Sequence, residues 1–221
     1  HLPEGNSRIN VKVKHGDETE INGQGPVITE EAINELFAKL DTLTKEDILV
    51  LAGSIPNTLP EDIYEKILAS LESKGIRIVV DATKDLLLNV LKYHPFLIKP
   101  NNHELGEMFG TVCKTDEDIV HYAKKLQEKG AVNVLISMAG DGAILITEDG
   151  QNIKMGTPKG KVVNSVGAGD SMVAGFITGY IRGGNYEEAL KSGTAAGSAT
   201  AFSEGLASLE MYEKMLKQIT E

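Results

Sequence analysis

The sequence predicts an α/β fold, a doubly wound and mostly parallel sheet flanked by helices, with a small β-hairpin unit at its N-terminal end. Three observations predict it. Short apolar runs rich in β-branched residues alternate with longer amphipathic stretches over residues 27–221, which is the pattern of successive βαβ units. Strands separated by helices of that length pair in parallel, because each crossover returns the chain to the same end of the sheet. Residues 1–26 depart from this pattern: they alternate polar and apolar around a turn and hold too few apolar side chains for a core of their own.

In chain order, Arg8 to His15 reads as one arm of the hairpin, Gly16-Asp17 as its turn and Glu18 to Asn22 as its return. Gly23, Gln24, Gly25 and Pro26 mark the boundary. Thr29 then caps a helix with Glu30 and Glu31 in its first turn and Ile33, Leu36, Phe37 and Leu40 on one face. Strand Asp47 to Ala52 follows, then a helix opened by Pro60 and closed by Gly75, then strand Arg77 to Asp81. A short helix around Asp85 to Leu91 precedes strand Phe96 to Lys99. Helices Glu104 to Phe109 and Asp116 to Lys129 lead to strand Val132 to Ser137. Ala143 to Thr147 and Asn152 to Met155 flank an Asp149-Gly150 turn, predicting a hairpin at the sheet edge. The last third reads as three helices: Asp170 to Arg182, Tyr186 to Phe202 and Leu209 to Thr220.

At 221 residues the chain is long enough for one large domain, or one domain with a small appendage, at about 150 residues per domain. Its 41% apolar and 24% charged residues exclude collagen-like, coiled-coil and disordered classes. A net charge of −10 opposes attraction to nucleic acid and to anionic membranes, so neither is an expected partner. An anionic ligand would need local positive groups. The single cysteine, Cys113, cannot form an intrachain disulfide, and no apolar run approaches the 18 or so residues of a spanning helix. Together these features predict a cytoplasmic protein. The five histidines show no metal-ligand spacing.

In a parallel sheet, ligands bind beyond the carboxyl ends of the strands. The segment Asn164 to Ser171 (NSVGAGDS) follows Lys161-Val162-Val163 and opens an apolar helix. Small residues there let the backbone approach an anion, and the amides of a helix start point at it. Asp170 at such a place is either a base for an attacking hydroxyl or a carboxylate favoured by the helix dipole. A Rossmann fingerprint fails because its third glycine position is Met172 and no strand follows the helix. A Walker A loop fails because Gly156 to Val162 is one residue short and ends in Val.

The segment Asn164 to Asp170, continued by Ser171-Met172-Val173-Ala174-Gly175, resembles the C-terminal signature of the PfkB/ribokinase carbohydrate kinases. It is joined in order by Gly53-Ser54-Ile55-Pro56, by Lys99-Pro100-Asn101-Asn102-His103-Glu104-Leu105 and by Ser137-Met138-Ala139-Gly140-Asp141-Gly142-Ala143. The hairpin from Arg8, with Glu18 to Pro26 behind it, is similar to the branch that phosphorylates sugar phosphates. The resemblance implies a ribokinase-like fold in which residues 1–26 are part of a β lid and 27–221 a nucleotide-binding domain.

It also implies roles. Asp170 corresponds to the catalytic base, and the amides of Gly167, Ala168 and Gly169 to an anion hole. Lys99 and Asn101 match positions that hold nucleotide phosphates, and Glu104 one that acts on Mg²⁺, through water; without the family, Lys99 is a solvated strand end and Glu104 a helix-start carboxylate. Ser137, Gly140 and Gly142 belong to a turn lining the nucleotide. Gly193, Ala196 and Gly197 lie near the adenine, or else serve close helix packing. Ser203 stands where some members have Asn beside the base, and Ala139 where the family usually has Gly. Arg8, with its planar fork, matches the residue gripping the phosphate already on the sugar, and Ser54 lies close to that phosphate. Asp81 has no role beyond a polar strand end.

The family's opening strand, its early Asp and its G-G-K-G-type signature do not occur in these 221 residues, so the sheet is expected to be incomplete at one side, with an apolar edge exposed. The expected activity is ATP-dependent, Mg²⁺-assisted phosphorylation of a ketohexose monophosphate, fructose 1-phosphate first and tagatose 6-phosphate or fructose 6-phosphate next. The rival from another class is a non-catalytic nucleotide or sugar-phosphate sensor. Pairing of lid strands makes a homodimer the expected assembly.

Overall fold

Six strands form the central sheet of the computed structural model, which describes residues 5–15 and 17–220. Residues 1–4 of the expected lid and Gly16 of its turn lie outside the described residues. Strands β1 (Asn10–His15) and β2 (Asp17–Asn22) make a separate antiparallel hairpin, with Val11 opposite Ile21 and Val13 opposite Thr19. Its apolar side chains stay open: Ile9, Val11, Val13 and Ile21 are 72, 46, 43 and 60% exposed.

Helix α1 (Glu30–Asp41) starts where Thr29 accepts the Ala32 amide. The sheet then runs β3 (Ile48–Ala52), β4 (Arg77–Asp81), β5 (Leu97–Ile98), β6 (Asn133–Ser137), β7 (Ala143–Ile146) and β8 (Asn152–Met155), adjacent in chain order. The first four are parallel and the last two antiparallel, the expected edge hairpin. Strand β5 is shorter than its sequence predicted because Pro95 and Pro100, which carry no N–H, bracket it. The line of pairing resumes at an isolated bridge between Asn101 and Ser137.

Helices α2 (Ile63–Leu71), α3 (Lys84–Val90), α4 (Asn102–Met108) and α5 (Asp116–Glu128) join α1 on one face; α6 (Ala168–Gly183), α7 (Tyr186–Ala201) and α8 (Leu209–Thr220) belong to the other. Strand alternation divides the core accordingly. Ile78, Val80, Val134 and Ile136 pack toward α1–α5, and Val79, Leu135 and Leu145 pack toward Met172, Val173 and Phe176 of α6 and Leu190 of α7. Coverage of the second face stops short of β3: Val50 is 41% exposed although its register partner Val79 is fully buried. Because β3 to β6 are parallel, Gly53, Asp81, Lys99 and Ser137 all arrive on one rim.

Candidate active site

Helix α6 begins two residues earlier than the apolar pattern indicated, which sets Asp170 inside its first turn. Gly167 is the N-terminal cap at φ +79°, a conformation that only glycine adopts without strain. First-turn amides have no partner within their own helix. The Ala168 amide is nonetheless engaged, donating back to the Ser165 carbonyl at 3.2 Å. The amides of Gly167 and Gly169 make no hydrogen bond among the described residues. The cradle therefore offers two of the three expected amides, because the turn into the helix closes on itself. Asp170 beside them is exposed.

Lys99 is not a solvated strand end. It is 6% exposed, and its Nζ would lie 3.2 Å from a Cβ placed on Gly169. Any side chain at residue 169 would press on the lysine. Lys99 pairs at 3.3 Å with Asp81, whose side chain is also mostly buried. Burial pushes the Asp81 carboxyl above its ordinary range, Lys99 pulls it back, and the charges of Asp170 and Glu104 push it up again. Asp81, which the sequence left without a role, thus anchors the lysine. The readable signal was an acid and a lysine as the first polar residues after neighbouring parallel strands (RIVVD and FLIK).

Asn101 and Glu104 cap α4 reciprocally: the Asn101 side chain accepts the Glu104 amide, and Glu104 Oε2 accepts the Asn101 amide, both at 2.8 Å. The other Glu104 oxygen makes no hydrogen bond among the described residues. Ser137 meets Asn101 across the bridge and heads a tight turn closed by Met138 N–H donating to Gly142 O at 2.8 Å. Gly140 faces open space, while a Cβ on Gly142 would overlap the Met155 carbonyl. Ala139, where the family usually has Gly, is held at φ +48°. Ser203 turns its hydroxyl back to Ala199 O at 2.8 Å.

Gly193 and Gly197 pack closely against α6. Added Cβ atoms would meet Met172 O at 2.9 Å and Ala168 O at 3.1 Å, and Ala196 abuts Gly175. These small residues bring α7 against α6, which steadies the start of α6 from behind.

At the other end of the rim, Arg8 Nη2 donates to the Ser54 carbonyl at 3.3 Å and to its Oγ at 3.2 Å. The structure thus joins two predicted residues 46 positions apart. Gly25, at φ +77°, lets the chain pass close behind Arg8. The backbone links the two ends, since Gly53 N–H donates to Asp81 O at 3.0 Å. Among the described residues no three carboxylate, histidine or cysteine side chains converge on a metal position, and no helix is long and apolar enough to cross a membrane.

Unbonded amides and a buried lysine stand beside an exposed carboxylate, a combination suited to transfer of a phosphoryl group to a hydroxyl. Fold and site together define an α/β kinase of small molecules. The model of the pfkB family carbohydrate kinases matches residues 3–211, and the chain belongs to that family. It is 51% identical over 215 residues to a 1-phosphofructokinase of Bacillus subtilis, covering 97% of this chain and 71% of that one. A D-tagatose-1-phosphate kinase of Bacillus licheniformis is 37% identical, over 98% of this chain and 71% of the relative. Among solved structures, phosphofructokinase-2 from Escherichia coli in complex with substrates and products superposes with a TM-score of 0.86 at 25% identity, covering 97% of this chain and 71% of that one.

Proposed function

We propose that the protein transfers the terminal phosphoryl of ATP to the free hydroxymethyl group of fructose 1-phosphate, giving fructose 1,6-bisphosphate. The observation that carries this is the Arg8–Ser54 contact: it sets a guanidinium and a hydroxyl on the same rim as the α6 cradle, so the rim has cationic groups for two anions. One is the donor's phosphates and the other is the phosphate already on the sugar. The B. subtilis relative, named a 1-phosphofructokinase, supports the acceptor. A second acceptor, tagatose 1-phosphate, is supported by the B. licheniformis relative and joins the tagatose 6-phosphate that the sequence reading placed next.

In this reading Asp170 takes the hydroxyl proton as the oxygen attacks. The Gly167 and Gly169 amides hold the migrating phosphoryl oxygens, and Lys99, braced by Asp81, offsets charge on the leaving phosphates. Arg8 and Ser54 bind the sugar's own phosphate. Mg²⁺ keeps several waters and needs few protein carboxylates, which fits a site offering the unbonded oxygen of Glu104 and, among the described residues, no preformed cage. When bound, the ion would neutralise nucleotide phosphates. Residues 1–26 act as a lid, 27–221 as the nucleotide-binding domain. The open apolar strip Ile9, Val11, Val13 and Ile21 pairs with a second lid in a homodimer, and the enzyme works in the cytoplasm.

ADP release with ATP and Mg²⁺ tests the acceptor against fructose 1-phosphate, tagatose 1-phosphate, tagatose 6-phosphate, fructose 6-phosphate, fructose and ribose. Fastest turnover on fructose 1-phosphate is expected. Preference for an unphosphorylated sugar, or ATP binding without ADP release, overturns the proposal.

A further inference from the structure

Tyr64 lies in the first turn of α2 with its ring against the core of the α1–α5 face. Its hydroxyl leaves that core and donates to Ala52 O at 2.9 Å, with Gly53 O 3.3 Å away. These carbonyls belong to the last residue of β3 and to the left-handed Gly53, at φ +83°, which is also held by its amide on Asp81 O. The next residue is Ser54, whose carbonyl and hydroxyl both receive Arg8. A loop after an edge strand would otherwise have little to fix it, since the Ala52–Asp81 pair is the last of the β3–β4 ladder. Burial and the Asp81 charge push the phenol above its ordinary value, with Arg8 opposing, so at neutral pH the hydroxyl keeps the proton it donates.

We infer that Tyr64 is a positioning residue for acceptor selectivity: its hydroxyl fixes the Gly53-Ser54 turn, and through Ser54 it fixes the Arg8 guanidinium that recognises the acceptor's phosphate. This rests on the reading of Arg8 and Ser54 given above. Tyr64→Phe keeps the ring and removes the hydrogen bond. In the full chain it raises KM for fructose 1-phosphate about fivefold, the scale of one net hydrogen bond, while kcat and KM for ATP hold within about twofold. In an Arg8→Ala background the same change adds less than about twofold, because the group it positions is gone. Gly53→Ala, which meets no neighbour but strains the turn, gives the same acceptor-only rise without touching α2.

A rise in KM for ATP equal to that for the sugar, or full additivity with Arg8→Ala, overturns the inference in favour of a merely structural role. An Arg8→Ala enzyme with unchanged KM for fructose 1-phosphate overturns the phosphate-site reading and this inference with it. A large Arg8→Ala effect beside a silent Tyr64→Phe overturns this inference alone.

Discussion

Two cations stand on the same rim and are held in opposite ways. Lys99 is buried, paired with a buried carboxylate and pressed against a glycine of α6. Arg8 precedes an exposed hairpin and is held by the neutral oxygens of an exposed serine. The lysine is part of the core and its position is set by the sheet register; the arginine precedes a separate two-stranded sheet and its position is set by a loop. A buried charge pair is costly to break, whereas an exposed one is cheap. In the proposed reading, the group that acts on the nucleotide is built into the core, and the group that chooses the acceptor sits where change costs little stability.

The largest expected effect belongs to neither cation. Asp170→Asn should lower kcat by about a hundredfold to ten-thousandfold, the range of a general base, with little change in either KM. A variant within tenfold of wild-type kcat would remove Asp170 from the chemistry. Next, Lys99→Met strands the Asp81 carboxylate in the core and should cost about 3 kcal/mol, lowering Tm by roughly ten degrees. Arg8→Ala should shift Tm by no more than about two degrees. Equal losses, measured by thermal denaturation, would erase the contrast between the cations.

Asp81 sharpens the comparison through pH. Burial, with the charges of Asp170 and Glu104, raises its carboxyl more than Lys99 lowers it. The folded protein then holds that proton more tightly than the unfolded chain does, so the contribution of Asp81 to stability is full below the ordinary carboxylate range. It is lost as pH rises through the folded value. The Tm difference between wild type and Asp81→Asn should decline across that window, and a difference that grows with pH contradicts the burial-dominated balance. The smallest effect concerns Ala139, a non-glycine residue at φ +48°. Ala139→Gly should gain about 1 kcal/mol and raise Tm by about three degrees; no gain would mean that the turn bears no strain.

Most of the architecture was legible because each strand and helix advertises itself locally: an apolar run of β-branched residues, a capping Thr29, a closing Gly75. The motif residues after each strand were legible for the same reason. Pairwise facts were not. That Ala168 spends its amide on Ser165, that Gly193 and Gly197 face α6, and that Tyr64 reaches back to β3 depend on helix rotation and turn closure, which no periodicity encodes. Asn101 and Glu104 show a different limit: an N-x-x-E spacing reads equally as a ligand pair and as a capping box, and the structure shows the box in place. Asp81 and Lys99 were within reach, since adjacent parallel strands ending in opposite charges bring those charges together.

The central claim is that the rim holds two phosphates by two separate devices, and crossed kinetics of Arg8→Ala and Lys99→Met test it most directly. With each variant assayed well below its own transition, we predict that Arg8→Ala raises KM for fructose 1-phosphate at least tenfold (about 1.4 kcal/mol or more) and leaves KM for ATP within about twofold, and that Lys99→Met does the reverse. If both variants raise both constants together, the rim is one shared site and the account is wrong.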